Sequence, residues 1–102
     1  MEAREYLQMV KDKIVYDDYL SRHTRGELYK EVVKRLKDTI RRKTNHLEFL
    51  KTLKAPNPVL IRELEEERSL AQGALEIVKQ MWGEERYSRL EKELEESEHI
   101  TA

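Results

Sequence analysis

The chain has no cysteine, two prolines, three glycines, one tryptophan and one phenylalanine among its 102 residues. The lack of cysteine excludes disulfides and thiolate zinc sites and agrees with a reducing compartment. Apolar residues are also scarce, at 38% against the roughly 45–50% of an ordinary domain. Charged residues make up 40% where about 25% is usual, a balance that suits long exposed helices better than a compact two-layer fold. No apolar run approaches the ~20 residues of a membrane span. The start, MEAREYLQ, is charged within its first residues and has no apolar core of a secretory signal. The expectation is a cytoplasmic protein that makes no membrane contact. Nor is there a glycine-rich phosphate loop, an H-E-x-x-H or a recognisable nucleophile arrangement. We therefore expect no enzymatic activity, no cofactor and no metal.

What the chain does have is helical periodicity, organised around NPVLIRELEEERSLAQGALEIVKQMWG, Asn57 to Gly83. Asn57 before Pro58 is a helix start, because the Asn side chain can accept an orphan N–H and proline has none to lose. Gly83 is a helix stop, since it takes a positive φ without steric cost. Between them Leu60, Leu64, Ala71, Leu75, Val78 and Trp82 fall on one stripe. Val59, Leu70, Ile77 and Met81 form a second, with Ala74 between the two. Two stripes call for two partners, so this is the central helix of a bundle, and Ala71, Gly73 and Ala74 allow a neighbour close to its backbone.

The same reasoning places a first helix over 2–15, reaching Leu20 at the furthest, with Ala3, Tyr6, Leu7, Val10 and Ile14 on its apolar face. A second helix, 25–53, opens with the capping box Thr24 to Glu27 and buries Leu28, Tyr29, Val32, Val33, Leu36, Ile40, Leu47 and Leu50. Glu31 with Arg35 and Asp38 with Arg42 are acid-before-base pairs on its outer side. Only Lys54 to Asn57 separate it from the central helix, 58–82, so the two fold into an antiparallel hairpin. Residue i then lies opposite residue 111 − i, and Lys43 pairs with Glu67 across the seam, partly buried. A last helix, 84–96, carries a thin stripe of Tyr87, Leu90 and Leu94, and the acidic end from Glu95 is expected to fray. The fold class is all-α: one domain, a helical hairpin within a three- or four-helix bundle.

Charge is unevenly spread. Residues 1–55 carry 14 Lys and Arg against 9 Asp and Glu, and residues 56–102 carry 6 against 12. Such a split serves head-to-tail association, internal pairing or a basic binding face. For the last of these, Lys30, Lys34, Lys37 and Arg41 lie along one line of the second helix, with Arg35 and Arg42 beside it, a row able to track phosphates. The plain alternative is a solvated face diluted by Glu27, Glu31, Asp38 and Glu48. Around the start of that helix, Tyr19, Arg22, His23, Arg25, Gly26 and Tyr29 form a corner where free N–H groups favour an anion such as a nucleotide; otherwise it is a polar turn. His46 reads as a boundary residue, and Glu96 to His99 has the E-x-x-H spacing of a di-iron pair without the further inward glutamates such a site needs.

The third candidate is a protein interface. The central helix has more apolar circumference than one neighbour covers, so Leu70, Ile77, Met81 and Trp82, with Tyr87, Leu90 and Leu94, are available either to each other or to a partner or second copy. The run ERSLAQGALEIVKQMWGE, Glu67 to Glu84, resembles a segment of short helical accessory proteins of bacteriophages. That resemblance implies a virion component, or a modulator of a host or defence factor acting in the host cytoplasm. The leading expectation is a non-enzymatic interaction protein that binds another protein or itself, and the alternative is nucleic-acid or nucleotide binding through the basic helix.

Overall fold

The computed structural model describes residues 1–18 and 25–101, with side chains over 1–16 and 26–96. These residues form four helices and no strand: α1 Ala3–Asp18, α2 Arg25–Lys51, α3 Pro58–Trp82 and α4 Glu84–Thr101. Thr24, and any continuation of α1 towards Leu20, lie outside the described residues. Asn57 caps α3 as its chemistry requires: its side-chain oxygen accepts from the N–H groups of Val59 and Leu60 at 3.0 and 3.4 Å, an arrangement that contributes about 1 kcal/mol. Gly83, at φ 84° and ψ 151°, is the single residue between α3 and α4. Its N–H donates to the Lys79 carbonyl, and its own carbonyl accepts from the N–H of Tyr87.

Two boundaries differ from expectation. α2 stops at Lys51 rather than Leu53, because the N–H groups of Thr52 and Leu53 turn back to the Phe49 and Leu50 carbonyls and the Thr52 hydroxyl donates to Phe49 as well. α4 runs on to Thr101: its second half holds neither glycine nor proline, so good helix formers continue unbroken.

The hairpin register is the one the short joint dictates. Tyr29 meets Trp82 with ring centroids 5.4 Å apart, and Lys43 Nζ lies 3.0 Å from Glu67. Arg68 donates to the Thr44 hydroxyl, and Leu47 and Leu50 pack on Leu64. The 111 − i rule thus holds to within a residue from one end of the pair to the other.

The remaining helices lie on opposite sides of the hairpin. α1 sits where Arg35, Thr39 and Arg42 of α2 face it, and runs antiparallel to α2, since Tyr6 reaches Thr39 and Arg42 while Lys11 stands 5.1 Å over the Tyr29 ring. On α3 it is seated at Gly73, where an added Cβ would come within 2.8 Å of the Ala3 Cβ. α4 takes the other flank, where Lys30 pairs with Glu93 and Lys37 with Glu91. Glu91 and Glu93 leave α4 on opposite sides of its Leu90 and Leu94 stripe, yet reach lysines two turns apart on α2. α4 therefore crosses α2 instead of running beside it.

The main core gathers Tyr6, Leu7 and Ile14, Tyr29, Val32, Val33 and Leu36, Ala71, Ala74 and Val78, and Tyr87 and Leu90. A separate small cluster, Leu47, Leu50 and Leu64 with Leu60 and Ile61, holds the closed end of the hairpin. Lys43 and Glu67 lie at the divide, with side chains 27% and 44% exposed. A pair so accessible contributes at most about 1 kcal/mol, so it fixes register more than it stabilises. The second stripe of α3 is the α1 face, but only in its middle: Leu70 and Ile77 pack against the core, whereas Val59 and Met81, expected on the same buried row, are 65% and 49% exposed. Val59 lies beyond the start of α1, and Met81 stands at the open end of the hairpin, in the cleft it lines with Trp82 and Leu90.

Candidate functional site

The basic row of α2 is largely committed within the molecule. Lys30 and Lys37 hold α4 through Glu93 at 3.4 Å and Glu91 at 3.5 Å. Arg35 pairs with Glu31 as expected. Asp38, however, pairs with Arg41 at 3.1 Å, and Arg42 donates to the Asp38 backbone carbonyl instead of its carboxylate. Lys34 is exposed on the outer face. Of the corner at the start of α2, Tyr19, Arg22 and His23, with the Arg25 side chain, lie outside the described residues, as does the side chain of His99. Among the described residues no three His, Asp or Glu side chains converge as metal ligands.

Of the seven apolar residues singled out on α3 and α4, six pack within the chain and Met81 stays exposed. Tyr87 and Leu90 are buried in the chain's own core, with Leu70, Ile77, Trp82 and Leu94 half-buried against it. α4 thus folds back over the circumference that the sequence left unpartnered. Burial raises the Tyr87 hydroxyl pKa to about 12, with the Glu91 carboxylate that receives its hydrogen bond and the more distant Glu76 adding to the effect. Tyr6 is raised for the same main reason, burial, and by Glu67, against the opposing influence of a hydrogen bond from Thr39 and the charge of Arg42. Each tyrosine thus stays neutral in the fold, Tyr87 beside Glu91 of its own helix and Tyr6 between α1 and α2.

Met81, Trp82 and Leu90 meet again in an open cleft of about 630 Å³ at the open end of the hairpin. Gly26, Glu27 and Lys30 form one wall, and Arg86, Arg89 and Glu93 form the other. The cleft has an apolar floor and a rim of both signs, with Lys30 bridged to Glu93 and Arg89 to Glu85. Arg86 and Arg89 were not foreseen, because their place at a cleft depends on how sharply α4 turns at Gly83.

A second surface lies at the opposite, closed end. Arg35, Thr39 and Arg42, the α2 positions against α1, continue at alternating spacings of four and three as His46 and Phe49, and Leu53 follows in the turn after Lys51. On α3 the row Leu70, Gly73 and Ile77 extends backward in the same way to Glu66, Glu63 and Val59. α1 ends over the first part of each row and leaves the rest bare. The result is a shelf on which Phe49, Leu53 and Val59 stand 61%, 43% and 65% exposed. From Lys43 to the end of α2 at Lys51 it is roughly 12 Å long. The sequence reading placed Val59 on a stripe that calls for a partner and took Leu53 as the end of the second helix; what it lacked was the level at which α1 begins.

No protein-family model, no curated protein and no solved structure matches the chain.

Proposed function

We propose that this is a small non-enzymatic helical interaction protein, which works by binding another protein or a second copy of itself through the bare shelf at the closed end of the hairpin. The observation that carries this reading is the row itself. The helical faces that hold α1 run on past it and present Phe49 and Val59 to water, with exposed Leu53 in the turn between their helices and His46, Glu63 and Glu66 on the same rows. Single exposed apolar residues are ordinary, but a contiguous group bounded by charge is the usual form of a docking surface. The resemblance of Glu67 to Glu84 to phage accessory proteins adds a setting: a virion component, or a modulator of a host or defence factor, in the cytoplasm of the host.

The test is a Phe49→Asp, Leu53→Asp double variant. Both positions are outside the core, so its melting curve should match the parent to within about 0.5 kcal/mol, whereas the same change at half-buried Leu70 or Ile77 would unfold the α1 contact. Loss of a defined complex, with a second copy or with a co-purified protein identified by mass spectrometry, is the expected result. A parent and variant with the same molar mass and the same bound proteins would end the reading.

A second reading, nucleotide or nucleic-acid binding, draws on Lys30, Arg86 and Arg89 around Trp82 in the open cleft. It predicts binding that weakens steeply with added salt and is lost in an Arg86→Glu, Arg89→Glu variant. Salt-insensitive binding would exclude it.

A further inference from the structure

α3 and α4 are joined by Gly83 alone, and this residue already makes a helical bond on each side: its N–H donates to the Lys79 carbonyl, and its carbonyl accepts from the Tyr87 N–H. What keeps the two from being one helix is its backbone, at φ 84° and ψ 151°, a region open essentially to glycine only. In that bend the N–H groups of Glu84, Glu85 and Arg86, which a continuous helix would direct to Gln80, Met81 and Trp82, form no backbone hydrogen bond across the joint among the described residues. From Lys79 to Leu90 the sequence holds no proline and no β-branched residue. With Gly83 in the helical region, the chain would run on as a single helix from Pro58 to Thr101.

Straightening takes α4 off the face it covers. Tyr87 and Leu90 are buried and Leu94 half-buried in the core, and Glu91 and Glu93 are paired with Lys37 and Lys30; one chain alone loses all of these contacts together. A second straightened copy restores them, because the face its α4 needs is the one the first α4 has left. The direction fits as well. Glu91 reaches Lys37, about two turns further from the open end of the hairpin than Lys30, so α4 enters from the open end and runs inward. A copy set open end to open end feeds its straight α4 into the neighbour along the same path.

We propose that the chain forms a two-fold dimer by exchanging α4, with Gly83 as the hinge: Tyr87, Leu90, Glu91 and Glu93 of each copy take the places on the other that they fill within the monomer. Exchange of an identical element is a low-cost route to a dimer, and a short joint held in a costly conformation favours it. This contact is separate from the shelf and stands whether or not the shelf binds anything.

Refolding the full chain from urea over rising concentration, followed by sedimentation velocity, tests it. The parent should give a dimer fraction that grows with the concentration at refolding. Gly83→Ala, which disfavours the bend and favours the helix at both joints, should raise the association constant at least about a hundredfold. A Gly-Ser-Gly-Ser insertion after Gly83, which relaxes the bend and breaks the long helix, should hold the chain monomeric. A Lys30→Glu, Lys37→Glu chain and a Glu91→Lys, Glu93→Lys chain each set like charges together, in the monomer and in the homodimer alike. Refolded together they should form a heterodimer about tenfold more readily than either forms a homodimer, since each face then receives an α4 of opposite charge. That preference should vanish with the insertion, which leaves the net charges as they are. A parent that stays monomeric after refolding at the highest attainable concentration, charge variants without preference for each other, or a dimer that survives the insertion would each overturn the exchange. A dimer that survives the insertion but is lost through Phe49→Asp, Leu53→Asp would belong to the shelf, overturning the exchange and keeping the interaction reading.

Discussion

Gly73 offers the sharpest perturbation of the fold, because two effects of known size oppose each other there. It lies in the middle of α3, where alanine would be favoured over glycine by about 0.8–1.0 kcal/mol on helix propensity alone. In this fold, however, the new methyl would stand 2.8 Å from the Cβ of Ala3, and that atom is fixed to the backbone of α1 with no rotamer to yield. Ordinary carbon contacts begin near 3.5 Å, so the start of α1 would have to retreat by about 0.7 Å and carry Tyr6 and Leu7 with it. Overpacking of this kind costs about 1–3 kcal/mol. The clash wins, and Gly73→Ala should destabilise by about 1 kcal/mol, roughly 4 °C in Tm for a domain of this size.

Ala3→Gly removes the opposing methyl. In the double variant Ala3→Gly, Gly73→Ala the propensity gain should therefore reappear, and urea titration of all four chains should give a coupling free energy of about 1–3 kcal/mol. A Gly73→Ala chain more stable than the parent by the full propensity increment, with coupling under about 0.5 kcal/mol, would contradict this. α1 would then not be seated on α3 at this point, and the bare shelf beyond it would lose its boundary.

Two other expectations follow from local chemistry. Gly83→Ala places a Cβ at φ 84° and ψ 151°, a region open essentially to glycine only, and should cost about 1–3 kcal/mol in chemical denaturation; the surrounding space is empty, so a neutral outcome would mean that α4 re-aims freely. Tyr87, whose ordinary pKa of 10.0 is raised to about 12, keeps its proton in the folded chain where the unfolded chain has released it. Its contribution is therefore complete below pH 10 and is lost as pH climbs towards 12. The stability difference between the parent and Tyr87→Phe should shrink or reverse across that window, and a difference independent of pH would refute the assignment.

The hairpin was legible because everything it depends on is local. Asn57 and Pro58 start a helix, four residues are too few for anything but a reversal, and arithmetic from that joint puts Tyr29 opposite Trp82 and Lys43 opposite Glu67, where the structure has them. The faces were legible too, since periodicity assigns Val32, Val33, Leu36, Ala71 and Val78 to the interior whatever their partner. What periodicity lacks is level along the axis. Val59 has the same angular position as Leu70 and Ile77, and only the placement of Ala3 against Gly73 determines that one is bare and the others covered. The cleft was hidden for a related reason: the direction of α4 depends on the ψ of Gly83, which no residue pattern encodes.

The charge split between the two halves of the chain finds its use in this geometry. Lys30, Lys37 and Lys43 from the basic half meet Glu93, Glu91 and Glu67 from the acidic half. All three pairs are between 27% and 60% exposed, and each contributes at most about 1 kcal/mol, so the core would survive their screening by salt. Their work is directional: the Glu91 and Glu93 pairs set the angle at which α4 crosses α2, and the Glu67 pair sets the register of the hairpin.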